Sequence, residues 1–258
     1  MILDRVDETQ RKAAKVVGLA YLVAILPALF AEFYVSGQLI VLDNAVETAQ
    51  NIMAHERLFR LGIASNLGVF AVDAVLISGL YVVLQPVNRH LALLAIALRL
   101  IETAVLVVAT LSDFDVLRVL SGADYLRAFD ADRLHALARL SIGAHGAGYA
   151  LGLLFTGLGS MVFCYLWFKS AYVPRAVAAL GVVASFVLAA RTFAVIIFPE
   201  VANVVTIAYY GGPLFIFEVT MGCWLLFKEL RPGPLPLPHP GRPDGPAAET
   251  QSVQGVRK

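Results

Sequence analysis

The stretch LALLAIALRLIETAVLVVATL, residues 91–111, decides the fold of this chain. It is long enough to cross a bilayer, because a helix needs roughly 20 apolar residues to span ~30 Å of hydrocarbon. Lipid offers no hydrogen-bond partners, so a single span must satisfy its own backbone N–H and C=O groups, and a helix does this. Near its middle the stretch carries Arg99 and Glu102. It therefore predicts a transmembrane helix with ionisable side chains at mid-membrane depth.

Five more apolar stretches of similar length accompany it, at about residues 13–35, 59–84, 142–168, 176–198 and 204–227. The composition agrees, with 59% hydrophobic and 15% charged residues and a mean hydropathy of +0.76, whereas soluble domains carry about 25% charged residues. We expect an all-α fold, a polytopic integral membrane bundle of six transmembrane helices over residues 1–230. Residues 231–258 are rich in proline, which removes backbone donors, and are expected to form a disordered cytoplasmic tail.

Orientation and connections follow from the polar residues between the spans. With the amino terminus inside, twelve Lys and Arg residues fall on the inner side and six on the outer side. Since cytoplasmic loops retain Lys and Arg, both termini are expected to be cytoplasmic. The outer connections, residues 36–58 and 112–141, mix leucines and aromatic residues with charges. They predict two amphipathic outer segments, the first beginning at a helix cap at Asp43 or Asn44.

Several classes of function find no support in the sequence. The net charge of +1 comes without a basic patch or a Gly-rich phosphate loop, so we expect no nucleic-acid partner and no cofactor. Cys164 and Cys223 show no metal-ligand spacing and are interpreted as packing residues. The lipid bilayer is the expected partner.

Ionisable residues inside the predicted spans are the main functional signal. They are Glu32, Asp73, Arg99, Glu102, Arg191 and Glu218. Because a charge in hydrocarbon costs a few kcal/mol or more, these side chains must face one another, water or a ligand. All but Glu32 lie deep enough to meet and form the candidate ligand- or ion-coupling site.

Within that site, Arg99 and Glu102 are three residues apart and are expected to pair, leaving Arg191 for Asp73 or Glu218. Counting all the membrane residues, four acids oppose two bases. The excess negative charge calls for a retained proton or a bound cation. The alternative is an interhelical clamp that only fixes packing.

A second polar group is expected at the outer mouth of the bundle, made of Glu32, His55, Glu56 and His145. Imidazole and carboxylate are ligands that zinc prefers, so an alternative is a metal site at His55, His135 and His145 that activates water. No HExxH motif is present, and a hydrogen-bonding role for each histidine is the competing interpretation. In the sixth span, Gly211, Gly212 and Pro213 predict a broken helix before Glu218.

Three functions are left open by these patterns. The first is a transporter-like or receptor-like protein that binds a small molecule or couples protons or cations through its buried charges. The second is an intramembrane metal-dependent hydrolase acting at the outer mouth. The third is a non-catalytic accessory subunit or scaffold bound to a membrane protein partner. No pattern in the sequence names a substrate or a reaction.

Several short runs also resemble a known family. They are HERLFRLGI at 55–63, QPVNR at 85–89, HGAGY at 145–149, Gly152 and FTGL at 155–158. Together they resemble an uncharacterised bacterial multi-pass membrane family known only as a domain of unknown function (DUF4386). The resemblance implies a multi-pass protein of the bacterial inner (cytoplasmic) membrane. It implies no activity and no site residues.

Overall fold

The computed structural model describes residues 6–41, 43–204 and 207–231. Within these residues the regular structure is helical. The elements are α1 (Glu8–Leu29), a π-helix (Phe30–Val35), α2 (Ser36–Leu39), α3 (Ala45–Ala54), α4 (Glu56–Leu84), α5 (Arg89–Val119), a 3-10 helix (Asp124–Ala128), α6 (Ala131–Ser170), α7 (Arg175–Ile197), α8 (Val201–Val204) and α9 (Ile207–Phe227). The predicted tail falls almost wholly outside the described residues.

Six segments are long and apolar enough to span a membrane, as the sequence predicted. They are Glu8–Leu39, Glu56–Leu84, Arg89–Val119, Ala131–Ser170, Arg175–Ile197 and Tyr209–Phe227. Many of their aliphatic side chains point outward, such as Leu26 at 74% exposure and Val108 at 63%. An apolar exterior of this kind suits contact with acyl chains. The chain is therefore a multi-pass, all-helical membrane protein.

The first span changes helix type part-way along. Pro27 lies inside α1 and cannot donate a backbone hydrogen bond. Within a turn of it the helix widens into the π-helix, before regular geometry resumes in α2. The Ser36 hydroxyl donates to the carbonyl of Ala31, five residues earlier. The π-helix carries Glu32 into the bundle.

The spanning helices pack in a closed ring. Around the ring the order is α1, α4, α5, α6, α7 and α9, and α9 returns to α1. Hydrogen bonds join the ends of several helices on one side, which we call the terminal side. Gln10 Nε2 donates to the Val83 carbonyl at 3.1 Å, and the Arg231 amide donates to the Tyr172 carbonyl at 3.0 Å. The start of α1 and the end of α9 thus both lie on the terminal side. We call the opposite side of the bundle the far side.

The connections on the far side differ from each other. The first contains α3 as a separate helix, and its cap is Asn44, whose side chain accepts from the Glu47 amide at 3.0 Å. The second is shorter than the predicted residues 112–141. Helix α5 continues to Val119 and α6 already begins at Ala131, so only the 3-10 turn lies between them. The charged residues at 112–119 and 131–141 extend membrane helices instead of forming separate ones.

The predicted break in the sixth span is wrong. Helix α9 runs through Gly211, Gly212 and Pro213 to Phe227. A proline costs a membrane helix one backbone hydrogen bond, and neighbouring helices offset that loss more readily in lipid than in water. Glu218 therefore projects from continuous helix and not from an unwound segment.

Candidate functional site

Arg99 is the centre of the buried charges. Its Nη1 lies 2.8 Å from Glu102 Oε2 on the same helix, and its Nη2 lies 3.5 Å from Asp73 Oδ1 on α4. Arg99 is only 6% exposed and Glu102 3%. The predicted Arg99–Glu102 pair is thus formed, and the same guanidinium also joins α4 to α5. A fork of several donors allows arginine to serve two carboxylates at once.

Glu218 adds a third carboxylate from α9. It lies within electrostatic range of Arg99, Asp73 and Glu102. We call Asp73, Arg99, Glu102 and Glu218 the central cluster. This group holds three acids and one guanidinium, which leaves a formal excess of two negative charges. Of the five side chains predicted for the coupling site, Asp73 and Glu102 pair with Arg99, and Glu218 interacts with them at longer range.

The sequence predicted that Arg191 would pair with Asp73 or Glu218, but Arg191 pairs with neither of them. Its Cζ lies 4.3 Å from the centroid of the Tyr210 ring, a cation–π contact between α7 and α9. Its Nε is buried without a hydrogen-bond partner. Asp73 pairs with Arg99 instead, because α4 packs next to α5 in the ring whereas α7 packs between α6 and α9.

A cavity of about 40 Å³ lies nearer the far side, between the π-helix, α4, α5 and α6. Its polar lining consists of Glu32, Ser36, Asn66, Asp113 and His145, and we call it the polar pocket. A water needs roughly 10–15 Å³ of such volume, so the pocket has room for about three waters. The remaining walls are apolar.

The polar pocket holds an acid–base pair. His145 Nδ1 lies 3.0 Å from Asp113 Oδ2, and Asn66 Nδ2 donates to Glu32 Oε1 at 3.4 Å. Glu32 and His145 interact electrostatically across the cavity. Three helices and the π-helix thus contribute one polar side chain each. A π-turn often marks a functional site, because it re-aims side chains relative to a regular helix.

Sequence reasoning found part of this pocket. It grouped Glu32 with His145 but assigned Asp113 to an outer connection and overlooked Asn66. One signal could have revealed Asp113, which follows Glu102 by eleven residues, about three helical turns, and so shares its face if α5 continues.

The other predicted members of the outer-mouth group lie elsewhere. His55 is exposed and its Nδ1 lies 3.2 Å from the Asn51 carbonyl, while Glu56 forms an exposed pair with Arg60. His135 Nδ1 is buried without a hydrogen-bond partner. In residues 6–41, 43–204 and 207–231 no group of three or more His, Cys, Asp or Glu side chains could hold a metal ion. The alternative site at His55, His135 and His145 is therefore not assembled.

Helices α5 and α6 connect the polar pocket to the central cluster. They run antiparallel with Asp113 beside His145 at one end, and at the other end a Cβ on Gly159 would lie 2.8 Å from Arg99 Cγ. Between these ends, a Cβ on Gly148 would lie 2.6 Å from Ala109 Cβ. We call this contact the α5–α6 seam. Small residues bring the helices close, as is common in membranes.

Tyr149 lies along this seam, one turn beyond His145. Its ring stacks on that of His145 with centroids 6.1 Å apart and planes 17° apart. It lies within electrostatic range of Glu32 in the polar pocket and of Glu102 and Glu218 in the central cluster. Tyr149 thus lies between the two polar groups, and its hydroxyl can both donate and accept a proton.

Comparison with known proteins gives a family but no activity. No curated protein and no solved structure matches this chain. A family model described as a domain of unknown function (DUF4386) matches residues 16–228. The match runs from the first spanning helix to the end of the last, and so includes the central cluster, the seam and the polar pocket. The chain belongs to the DUF4386 family.

Proposed function

We propose that this protein is transporter-like and couples the binding or movement of protons or small cations to its central cluster. The observation that carries the proposal is the charge balance of that cluster. Asp73 and Glu102 contact Arg99, the base of this cluster, and Glu218 lies within electrostatic range of all three. Deep in a bilayer, two uncompensated negative charges would be prohibitively costly. Protons or a cation must therefore neutralise them.

The arrangement supports coupling more than simple clamping. The Arg99–Glu102 pair lies within α5 and already balances the charge of Arg99. Asp73 on α4, which Arg99 also contacts, and Glu218 on α9 are therefore acids in excess of what a packing clamp requires. When Asp73 or Glu218 gains or loses a proton or a cation, the electrostatic attraction between its helix, α4 or α9, and α5 changes. A bound proton or cation would thus bias how the helices pack.

In this proposal the residues have separate roles. Arg99 holds the carboxylates together, while Asp73 and Glu218 take up and release the compensating charge. Arg191, over the Tyr210 ring, supplies a second guanidinium for the negative part of a small-molecule substrate. The side chains of Glu102 and Asp73 are only 4% and 13% exposed, while many leucines and valines face outward, which suits a path through the bundle and not along its surface.

The test is ion flux in proteoliposomes containing the purified protein. A pH-sensitive dye inside reports proton entry driven by a potassium diffusion potential, and an external sodium gradient tests cation movement. We expect Asp73→Asn and Glu218→Gln each to reduce flux by about tenfold or more, as loss of a proton-transfer group commonly does. The matched control is Glu56→Gln, an exposed acid paired with Arg60, which should keep wild-type flux.

Two outcomes would overturn the proposal. One is wild-type flux indistinguishable from that of empty liposomes under both gradients. The other is wild-type flux in both Asp73→Asn and Glu218→Gln. Insertion and oligomeric profile of each variant are compared by size exclusion, so that a variant that fails to fold is not scored as one that fails to transport.

A further inference from the structure

We infer that the polar pocket is the place where protons enter and leave the central cluster, and that Tyr149 carries them between the two. This inference rests on the proposed function and adds a site and a route to it. Its ligand is the hydrated proton.

The pocket has the chemistry of a proton acceptor. His145 and Asp113 lie 3.0 Å apart and Glu32 faces them from the π-helix. Imidazole changes charge between about pH 5 and 8, so it accepts and returns protons under ordinary conditions. A carboxylate beside it stabilises the imidazolium form. The adjoining cavity of about 40 Å³ has room for the waters that would deliver the proton.

The pocket is also on a direct line to the interior. From Asp113 to Glu102 along α5 is eleven residues, or about 16 Å of helix. Tyr149 lies within this interval, stacked on His145 and within electrostatic range of Glu102 and Glu218. At the inner end, the Thr156 hydroxyl lies beside the Glu102 carboxylate. The hydroxyl groups of Tyr149 and Thr156 therefore lie on one face of α6, between the pocket and the cluster.

The transfer balances without any other reactant. A hydronium ion in the pocket gives its proton to the His145–Asp113 pair and remains as water. The pair then passes a proton to the Tyr149 hydroxyl oxygen, and Tyr149 releases its own hydroxyl proton to the carboxylate of Glu102 or Glu218. Tyr149 ends neutral, as it began. One positive charge has moved from the pocket into the central cluster.

The charged and titratable groups that surround this route come from every neighbouring helix. They are Tyr21 of α1, Glu32 of the π-helix, Arg99, Glu102 and Asp113 of α5, His145 and Tyr149 of α6, Arg191 of α7, and Tyr210 and Glu218 of α9. Helix α4 contributes the neutral Asn66 to the pocket and Asp73 to the cluster. Arg191 contacts the Tyr210 ring from α7 and places a positive charge next to that ring.

The experiment compares proton flux among pocket, route and control variants in the same proteoliposomes. We expect His145→Ala and Tyr149→Phe each to lower flux by about tenfold or more. Tyr165→Phe is the matched control, because Tyr165 lies on the same helix but is 47% exposed, and it should transport as wild type. Added imidazole should restore flux to His145→Ala, since the removed ring leaves space beside the cavity. Imidazole should leave Tyr149→Phe unchanged.

Rescue separates a proton-transfer role from a structural one, because free imidazole replaces a proton carrier and does not repack a helix. Wild-type flux in both His145→Ala and Tyr149→Phe would overturn the inference. If Asp73→Asn and Glu218→Gln were still inactive in that case, the proposed function would stand without this route. Loss of flux in His145→Ala with no response to imidazole would also overturn the inference.

Discussion

Removing the Arg99 side chain would leave Asp73 and Glu102 without a countercharge in the interior of the bundle. Breaking a buried ion pair from one side costs about 3–5 kcal/mol, because the remaining charge has no solvent. We therefore expect Arg99→Met to lower the free energy of unfolding in mixed detergent micelles by that amount. The matched control is Arg118→Met on the same helix, whose pair with Asp115 is exposed at 3.1 Å and should contribute about 0.5 kcal/mol or less.

The loss of unfolding free energy in Arg99→Met should depend on whether Asp73 and Glu102 are both present. Arg99→Met in a Glu102→Gln background removes one of the charges that would otherwise lose its partner, so the loss in unfolding free energy should be smaller there. Equal losses in both backgrounds would contradict the ion-pair explanation, as would a loss no greater than that of Arg118→Met.

Single residues also show how far sequence reasoning reaches. A cap at Asp43 or Asn44 and the Arg99–Glu102 pair were both predicted, because each depends on spacing within one helix, and the structure uses Asn44 as the cap. The Arg99–Asp73 pair was not predicted, since Arg191 was the expected partner of Asp73 or Glu218. Choosing between two arginines requires knowing which helices are neighbours, and that information is not local.

At the scale of the element, the α5–α6 seam gives the sharpest test of packing. A Cβ on Gly148 would lie 2.6 Å from Ala109 Cβ, and neither atom can rotate away. We expect Gly148→Ala to push the helices apart and to lower the free energy of unfolding by about 1–3 kcal/mol, as overpacking does. The measurement is unfolding in the same micelles.

Gly146→Ala is the control for this substitution. It lies on the same helix with nothing within 4 Å of the added Cβ, so it should be neutral or should stabilise by up to about 1 kcal/mol through helix propensity. If the two variants unfolded alike, the seam would not be the close contact described. The same conclusion would follow if Gly146→Ala lowered the free energy of unfolding more than Gly148→Ala.

Helix boundaries were harder to predict than helices. The third span was expected to end at residue 111, where hydropathy falls, yet α5 continues to Val119. The thickness of the bilayer limits the length of the apolar sequence, but a helix can continue beyond the hydrocarbon. Arg118 supports this extension of α5 by pairing with Asp115 three residues earlier. This error hid Asp113 as a member of the polar pocket.

At the scale of the whole molecule, the topology predicts which loops reach each side of the membrane. The start of α1 and the end of α9 lie on the terminal side, and the Lys and Arg distribution predicts that this side is cytoplasmic. In a Cys223→Ser background, with Cys164 buried, Ser121→Cys on the far side should react with an impermeant maleimide in intact cells. His90→Cys, exposed at the start of α5 on the terminal side, should react only after permeabilisation.

The reverse pattern would contradict the predicted orientation while preserving the fold. Reaction of both cysteines in intact cells would contradict the topology itself, because α5 separates the two positions by one crossing. Labelling of both after permeabilisation serves as the control for accessibility.

The sequence by itself determined the membrane class, the number of spans and the identity of the charges that cannot face lipid. These follow from length, hydropathy and the cost of desolvating an ion, which are properties of each segment alone. Tertiary structure decided which charges meet. It joined Asp73 to Arg99, moved Arg191 onto Tyr210, and brought Glu32, Asn66, Asp113 and His145 around one cavity. Such encounters depend on the order of helices in the ring and on their relative rotation and depth. Those are set by close packing between helices, which hydropathy within one helix does not encode.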